Sequence, residues 1–282
     1  MRYLKERIQQ KEVLLVPGVH DVLSSLLAEE AGFEAIGLGG LAMVASTLGK
    51  PDLGLHTLPE LMTMVRNIMG EVEIPLLVDG DTGYGNALNV IRTVREIEAA
   101  GAAGIFLEDQ VTPPNMSGRP VISIQEMVDK IKAALDTRRN DRFIVIARTD
   151  STVAYGFEEG IKRGKAYEEA GADAILITRP QSLDELKTIA SSFEAPTVAL
   201  MIEGSPAPLL TVQELGEMGF SIVRHPFSAF MAAVSAMRRT FEELWKKGTT
   251  SAIMKDMASI QSVNTILKEG RWRELERKYV RK

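Results

Sequence analysis

The chain has 282 residues, of which 45% are hydrophobic and 25% charged, with a formal net charge of −5. This balance is typical of a soluble globular protein with a sizeable core, and it gives no support to nucleic-acid binding, which usually requires a basic surface. The absence of cysteine excludes disulfides, zinc–thiolate sites and cysteine nucleophiles. The charged N-terminus does not resemble a secretory signal, and no apolar run approaches the ~20 residues that span a bilayer. We therefore expect a cytoplasmic protein with no membrane or nucleic-acid partner.

One pattern recurs along the chain. An amphipathic run ends at a glycine, as at Gly32, Gly101, Gly171 and Gly219, and a short apolar run follows. Glycine just past a helix and a tight turn into a buried strand are typical of αβ units. Near-continuous apolar runs are expected when helices cover both faces of a parallel sheet. The pattern predicts eight strands, at 13–17, 34–39, 74–79, 103–108, 143–148, 174–178, 197–202 and 221–225.

Eight β-then-α units in a chain of this length predict an α/β fold, a (β/α)₈ TIM barrel. A doubly wound open sheet is the alternative. Because no linker or change of composition divides the sequence, we expect one domain over 1–282. Residues 248–282 follow the eighth unit and are predicted to form a C-terminal helical tail, which could pack on the barrel or on a neighbouring subunit.

Polar side chains stand where the third, fourth and fifth predicted strands end. Asp79 and Asp81 follow the third strand, Glu108 and Asp109 end the fourth, and Arg148 ends the fifth. Active sites of TIM barrels lie at the carboxyl ends of the strands, so four carboxylates would face a small volume and repel one another. A hard divalent cation with oxygen ligands relieves that repulsion, which predicts a magnesium site.

Other strand ends supply further candidates. Arg148 offers a planar fork that suits a substrate carboxylate, and Gly39 and Gly40 allow close approach of backbone N–H groups to a ligand. His225 ends the eighth strand and is kept as a candidate, whereas His20 and His56 are interpreted as structural. A single aspartate at a strand end often only caps the next helix, so the functional interpretation depends on the whole set.

Four motifs strengthen this interpretation. They are Lys50-Pro51-Asp52-Leu53-Gly54, Asp79-Gly80-Asp81-Thr82-Gly83-Tyr84-Gly85-Asn86, Glu108-Asp109-Gln110 and Ala147-Arg148-Thr149-Asp150. In this order they resemble the isocitrate lyase/phosphoenolpyruvate mutase superfamily, and the resemblance covers nearly the whole chain. It implies an (α/β)₈ barrel, a homodimer or homotetramer, and an eighth helix that is often swapped to a neighbouring subunit.

The resemblance also implies roles for individual residues. Asp79 would bind Mg²⁺ directly, with Mn²⁺ as a possible substitute, and the family stabilises a pyruvate-type enolate beside the metal. Arg148 would bind the small carboxylate substrate. The other implied metal-side or catalytic residues are Asp52, Asp81 and Glu108, and the other implied substrate contacts are Gly39, Gly40, Leu41 and Glu203. His225 stays a catalytic candidate because of its place at the end of the eighth strand.

The sequence departs from the family at the segment after the fourth strand. Isocitrate-type lyases carry a Lys-Arg-Cys-Gly-His loop whose cysteine is the acid/base, but residues 111–120 here contain neither cysteine nor histidine. The phosphonate branch has lysines where this chain has Gln110 and Pro114. Residues 81–90 resemble the oxaloacetate decarboxylase branch. That branch has a histidine near the end of the eighth strand, at the position of Phe227 here.

These features lead to one hypothesis and two alternatives. The hypothesis is a Mg²⁺-dependent lyase that acts on a C–C bond of a small 2-oxo or 2-hydroxy dicarboxylate, with oxaloacetate-type decarboxylation as the first choice. Losing CO₂ next to a polarised 2-oxo group requires no base, whereas cleaving a 2-hydroxy acid does. The alternatives are a phosphonate enzyme, of the carboxyphosphonoenolpyruvate or phosphonopyruvate type, and a binding barrel without catalysis.

Overall fold

The computed structural model describes residues 4–10 and 12–280, and its centre is a barrel of eight parallel strands. The strands pair in the order β6-β5-β4-β3-β2-β1-β8-β7, and a parallel bridge between Ile175 and Thr197 joins the two outer strands. The (β/α)₈ prediction is thereby confirmed, and each predicted strand is present to within two residues at most boundaries. The strands are β1 (Leu14–Val19), β2 (Ile36–Leu38), β3 (Leu76–Asp79), β4 (Gly104–Glu108), β5 (Ile144–Thr149), β6 (Ala174–Ile177), β7 (Val198–Leu200) and β8 (Ile222–His225).

Helices surround the barrel, and polar residues cap several of them. The side chain of Asn86 accepts from the backbone N–H of Leu88, and Ser123 accepts from Glu126, which satisfies N–H groups that the first turn leaves free. The helices before β8 are α1 (Leu4–Ile8), α2 (Val22–Glu30), α3 (Gly40–Leu48), α4 (Leu58–Met69), α5 (Ala87–Ala99), α6 (Ile124–Thr137), α7 (Ser151–Tyr155), α8 (Phe157–Glu169), α9 (Leu183–Ser191) and α10 (Val212–Met218).

Strand residues alternate between two apolar cores. Leu77, Phe106, Ile146 and Ile222 belong to the cluster inside the barrel, which α1 closes at the amino-terminal end. Neighbouring strand residues such as Val78 belong to the cluster between the strands and the helices. Because side chains of a strand point alternately to opposite faces, the inward positions of each strand follow from these two clusters.

After β8 the chain continues as helices: α11 (Ser228–Lys247), a 3₁₀ turn (Met254–Asp256), α12 (Ile260–Ile266) and α13 (Glu269–Tyr279). Gly248, at φ 66°, ends α11 in the left-handed region that glycine adopts readily. Ile266 packs on the outer core, and Lys268 donates to the carbonyl of Glu71 at 3.0 Å. Residues 281 and 282 of the predicted tail lie outside the described residues. No helix in the described part of the chain could cross a membrane.

Candidate active site

Four side chains point inward at the carboxyl end of the barrel. Side chains two residues apart on a strand share a face, so Asp79 points inward like Leu77. In the same way Glu108, Arg148 and Arg224 each stand two residues after an inward residue on β4, β5 and β8. Glu108 contacts Arg148, and Asp79, Arg148 and Arg224 line a cavity of about 140 Å³, which suits a small metabolite. Its other lining residues include Gly39, Gly40, Leu41, Asp52, Asn115, Arg119, Asp150, Thr178 and Arg179.

Three carboxylates converge on the start of α3. A Cβ atom placed on Gly40 would lie 3.3 Å from Asp81 Oδ1, 3.7 Å from Asp52 Oδ1 and 3.8 Å from Asp79 Oδ2. The structure therefore brings together the aspartates that the sequence analysis grouped. A side chain at position 40 would occupy the space between them, which explains why this helix begins with glycines.

The turn after β3 holds Asp81 in place. Asp81 has a φ of 45°, an unusual conformation for a residue other than glycine. Its N–H donates to Asp79 Oδ1 at 3.3 Å, and its carbonyl accepts from Glu108 N–H at 2.9 Å. His56 Nε2 lies 3.4 Å from Asp81 Oδ2 and 2.7 Å from the Tyr84 hydroxyl. His56, which the sequence analysis interpreted as structural, thus contacts the carboxylate cluster directly.

Arg148 is the cation among these acids. Its Nη2 donates to Asp150 Oδ1 at 3.1 Å, and its Nε lies 2.7 Å from Asp150 Oδ2. Its Nη1 lies 3.0 Å from Glu108 Oε2 and 3.7 Å from Asp79 Oδ2. One guanidinium therefore touches three carboxylates, and two of them, Glu108 and Asp150, are almost completely buried.

Burial and mutual repulsion raise the pKa values of several acids. Burial, and then the charge of Asp79, raise the pKa of Asp52 to about 6. Burial raises the pKa of Glu108 to about 8, against the lowering effect of Arg148 and with further repulsion from Asp150. Burial together with Asp79 and Glu108 raises the pKa of Asp81 as well. The cluster therefore holds more carboxyl groups than Arg148 can balance, and some of them keep their protons near neutral pH.

This excess of carboxylate fits Mg²⁺. Oδ1 of Asp52 is buried and has no hydrogen-bond partner among the described residues. Over residues 4–10 and 12–280, no group of three or more histidine, cysteine, aspartate or glutamate residues is arranged so that it could hold a metal ion by itself. Mg²⁺ commonly keeps several waters and takes only one or two protein carboxylates. Asp79, with Asp52, Asp81 and Glu108 around it, is therefore a suitable donor set for a hydrated Mg²⁺ ion.

The raised pKa values predict that Mg²⁺ binding depends on pH. Below pH 8 Glu108 is mostly protonated in the metal-free protein, and below pH 6 Asp52 is too. Because a cation displaces these protons, Mg²⁺ should bind more tightly at pH 8 than at pH 6. The metal-free protein should conversely lose stability as pH rises through this range, since acids with raised folded pKa values stabilise the fold only while protonated.

Calorimetric titration with Mg²⁺ at pH 6, 7 and 8 would test this. Titrations in two buffers with different ionisation enthalpies would count the protons released. An affinity that does not change with pH, without proton release, would contradict the assignment of these acids to the metal site.

The segment between β4 and α6 covers the cavity. Arg119 Nη1 donates to Asp150 Oδ1 at 3.1 Å, and Gln110 Nε2 donates to Glu108 Oε1 at 2.9 Å. Gln110 also accepts from the N–H of Asn115 at 2.8 Å and forms an antiparallel bridge with Val121. Residues 111–121 therefore form a closed flap whose side chains contact acids of the site.

Asp109 anchors this flap from outside the barrel. The sequence analysis counted Asp109 among four acids facing one volume, and this was wrong, because strand alternation turns it away from Glu108. Its Oδ2 accepts from Thr149 and Tyr167, each at 2.7 Å, and lies 3.2 Å from Arg163. Arg163 also donates to the carbonyl of Ile122 at 2.8 Å, so this buried network ties the end of the flap to β4 and β5.

Two predicted site residues lie apart from the cavity. His225 follows the inward Arg224 and therefore points outward, into an apolar groove between α2 and α11. The prediction of His225 as a catalytic residue is not supported by this geometry, since strand alternation separates it from the acids. Glu203 is exposed in a neighbouring recess and accepts a hydrogen bond from Ser228. This recess meets the cavity only at its rim, and Glu203 does not line the cavity itself, so direct contact of Glu203 with a buried substrate is not supported either.

Several residues of the site were not singled out from the sequence. Arg224 was predictable, because it stands two residues after the inward Ile222 on the same strand. Asp150 directly follows β5 and could have been proposed as the partner of Arg148. Arg119 and Arg179 belong to loops, and no periodic pattern marks them.

Comparison with known proteins places these features in a family. A family model described as phosphoenolpyruvate phosphomutase matches residues 4–245. The 2,3-dimethylmalate lyase of Eubacterium barkeri is 40% identical over 279 residues, which are 98% of this chain and 96% of that protein.

Solved structures agree with this match. A structure of oxaloacetate acetylhydrolase with 3,3-difluorooxalacetate superposes with a TM-score of 0.93 at 31% identity, covering 100% of this chain and 97% of that one. A phosphonopyruvate hydrolase complex with oxalate and Mg²⁺ gives a TM-score of 0.91 at 33% identity and covers 99% of both chains. The chain therefore belongs to the phosphoenolpyruvate phosphomutase family, within the isocitrate lyase/phosphoenolpyruvate mutase superfamily.

Proposed function

We propose that the protein is a Mg²⁺-dependent lyase that cleaves a C–C bond of a small dicarboxylate, with decarboxylation of an oxaloacetate-like 2-oxo acid as the first choice. The observation that carries this choice is the composition of the flap. Residues 111–121 contain Arg119 as their one ionisable side chain, so the flap brings no proton donor or base to the cavity. Decarboxylation of an oxaloacetate-like 2-oxo acid requires no base, because carbon dioxide leaves without a proton, and water can supply the proton that C3 of the resulting enolate takes up.

The residues of the cavity support a dianionic substrate. Arg148 and Arg119 are already paired with acids of the protein. Arg224 and Arg179 also line the cavity, and neither forms an ion pair or side-chain hydrogen bond with another described residue. Two available guanidinium groups match a substrate with two anionic groups.

The site also provides surroundings that favour loss of CO₂. The N–H groups at the start of α3 can orient one carboxylate. Phe106, Leu176 and Leu200 line the same cavity, and they would exclude water from a substrate carboxylate that faces them. A carboxylate is less stable in apolar surroundings than neutral CO₂. When bound, Mg²⁺ would polarise the 2-oxo oxygen and neutralise the negative charge that develops there.

The test is an assay with purified protein and oxaloacetate, followed by proton NMR of the products. We expect pyruvate to form faster with protein and Mg²⁺ than with Mg²⁺ alone, and a parallel reaction would test Mn²⁺. Oxalate and acetate as products would indicate hydrolysis instead, the reaction type named for the structurally similar oxaloacetate acetylhydrolase. A rate no greater than that of Mg²⁺ alone would refute the decarboxylase proposal.

A second candidate is cleavage of a substituted malate. The 40% identity to 2,3-dimethylmalate lyase over nearly the whole chain favours it. This reaction requires a base for the 2-hydroxyl proton, and Asp52, whose pKa is raised by burial to about 6, lines the cavity. Cleavage of 2,3-dimethylmalate between C2 and C3 would give pyruvate and propanoate, so propanoate in the NMR spectrum distinguishes this reaction. Phosphorus NMR with phosphonopyruvate would reveal phosphonate chemistry.

We also propose that the protein is a homo-oligomer in which α11 packs on a neighbouring subunit. None of the 20 residues of α11 is buried, and Trp245 and Phe241 are 90% and 66% exposed. The groove between α2 and α11 is lined by Leu15, Leu27 and other apolar side chains. Exposed apolar surface of this extent is typical of an interaction site.

The oligomer proposal predicts that light scattering after size-exclusion chromatography shows a dimer or tetramer. Replacing Phe241 and Trp245 together by glutamate should shift the protein toward monomer, because charged residues are unfavourable at the centre of such an interface. Glutamate at the exposed Val153 serves as a control. A monomeric wild-type protein at micromolar concentration would contradict the proposal.

A further inference from the structure

Arg224 is a buried cation without an anionic partner. Its side chain points into the barrel from β8, and only 4% of the residue is exposed. Its Nε and Nη2 atoms are buried and have no hydrogen-bond partner in the described structure. The guanidinium lies 4.5 Å from the centre of the Phe106 ring. Burial lowers the pKa of Arg224 to about 10, which expresses the cost of holding this charge away from water.

Gly37, on β2, leaves the space that the Arg224 guanidinium occupies. A Cβ atom on Gly37 would lie 2.7 Å from Arg224 Nε and 2.8 Å from Nη2, so any larger residue in the middle of β2 would collide with the guanidinium. A glycine inside a strand weakens the strand, and it often marks a close approach of another group. Gly37 and Arg224 therefore form a matched pair across β1.

The guanidinium lies beside the start of α3. A Cβ atom on Gly39, the N-cap of that helix, would be 3.8 Å from Arg224 Nη2. No side chain caps this end of α3, so its first N–H groups remain available to a ligand, and the helix dipole favours an anion there. An unpaired buried cation and an uncapped helix end thus face the same corner of the cavity.

We propose that Arg224 binds the substrate carboxylate that the N-terminus of α3 also receives, and that it selects for substrates with an anionic group at this position. The inference rests on the proposed function in so far as the substrate is a small carboxylate. A buried guanidinium that no protein group pairs then has a clear reason: the partner of Arg224 is the substrate itself. Binding supplies the charge that the fold leaves out, and Phe106 orients the guanidinium until then.

The experiment measures oxalate binding by calorimetry in saturating Mg²⁺, with melting temperature as a second readout. Arg224→Met should raise the oxalate Kd by about 30-fold or more, as expected for losing one partner of a buried charge pair. The oxalate Kd of Arg224→Lys should lie between those of the wild type and Arg224→Met, because lysine keeps the charge but not the planar fork. The Mg²⁺ Kd without oxalate should stay unchanged in both variants.

The melting temperature separates a binding role from a structural one. Methionine has a similar length and no charge to desolvate, so Arg224→Met should melt at a higher temperature than wild type when metal and oxalate are absent. Arg92→Met, on the exposed face of α5, is the matched control and should alter neither readout. A lower melting temperature for Arg224→Met, or an oxalate Kd within threefold of wild type, would overturn the assignment.

The two proposals fail in different ways. Wild-type protein that binds oxalate through Arg224 but releases no pyruvate from oxaloacetate would refute decarboxylation and leave the role of Arg224 intact. Arg224→Met that binds oxalate normally would refute that role and leave the reaction untouched. Wild-type protein that does not bind oxalate in the presence of Mg²⁺ would also overturn the assignment.

Discussion

Replacing Asp79 with alanine should abolish both Mg²⁺ binding and turnover. Asp79 ends β3 on the inner face of the barrel, and its carboxylate converges with those of Asp52 and Asp81 beside Gly40. Changes in outer-shell residues already weaken metal binding by about 10–100-fold, so the loss of a direct ligand should have a larger effect. Turnover should fall by at least roughly 10²–10³-fold, since charge stabilisation at the reacting oxygen is lost.

Calorimetry with Mg²⁺ and the oxaloacetate assay measure the two effects in the same preparation. Asp129→Ala is a suitable control, because Asp129 is exposed on α6 and, among the described residues, its side chain accepts one hydrogen bond, from Gln125 in the same helix. Removing Asp79 also relieves repulsion within the cluster, so the metal-free variant should be at least as stable as wild type. Unchanged turnover in Asp79→Ala would overturn the assignment of the metal site.

The fold was predictable because its signal is repeated. Each helix that ends at a glycine and each apolar run that follows gives the same information, so an error in one unit does not alter the count of eight. The position of the site followed from the barrel, since its strands are parallel and all their carboxyl ends meet at one opening. The sequence therefore predicted that Asp79, Glu108 and Arg148 lie together, and the structure places them in contact.

Two site predictions failed because residues were selected only for standing at the end of a strand. His225 and Asp109 were selected because they end strands, but a strand directs successive side chains to opposite faces. Alternation from Ile222 places Arg224 inside and His225 outside, and alternation from Phe106 places Glu108 inside and Asp109 outside. Applying the two-residue period to each strand end would have corrected both predictions.

Other features could not follow from local patterns. His56 reaches Asp81 because the long connection between β2 and α4 folds back over the barrel, and no periodicity describes that path. Arg119 meets Asp150 because residues 111–121 fold over the cavity. These contacts depend on tertiary structure, and they also surround the residues on which the proposed chemistry depends.

Removing the cation from the acid cluster should have the second large effect. Arg148→Met leaves Glu108 buried without a counter-charge and leaves Asp150 with Arg119 as its remaining cation, with Asp79 beside them. Breaking a buried ion pair by deleting one partner typically costs about 3–5 kcal/mol, so the metal-free variant should be less stable by this order. Denaturant unfolding at pH 8 would measure the loss, and turnover should disappear at the same time.

The pH dependence should show that the loss is electrostatic. At pH 5 Glu108, with a pKa of about 8, is protonated, so less charge is left uncompensated and Arg148→Met should lose less stability there than at pH 8. Saturating Mg²⁺ at pH 8 should restore part of the stability for the same reason. A loss of equal size at both pH values would indicate that packing, and not charge, dominates at this position.

A second substitution separates the two roles of Arg148. Asp150 is fully buried and lies next to both Nε and Nη2 of Arg148. Asp150→Asn in the Arg148→Met background therefore removes the buried carboxylate charge that loses most when the guanidinium is deleted. The double variant should recover stability without recovering turnover, because asparagine removes the repulsion but no group then faces the substrate in place of the guanidinium. Recovery of both would mean that Arg148 acts only as a structural counter-ion, whereas recovery of neither would place its main partner at Glu108.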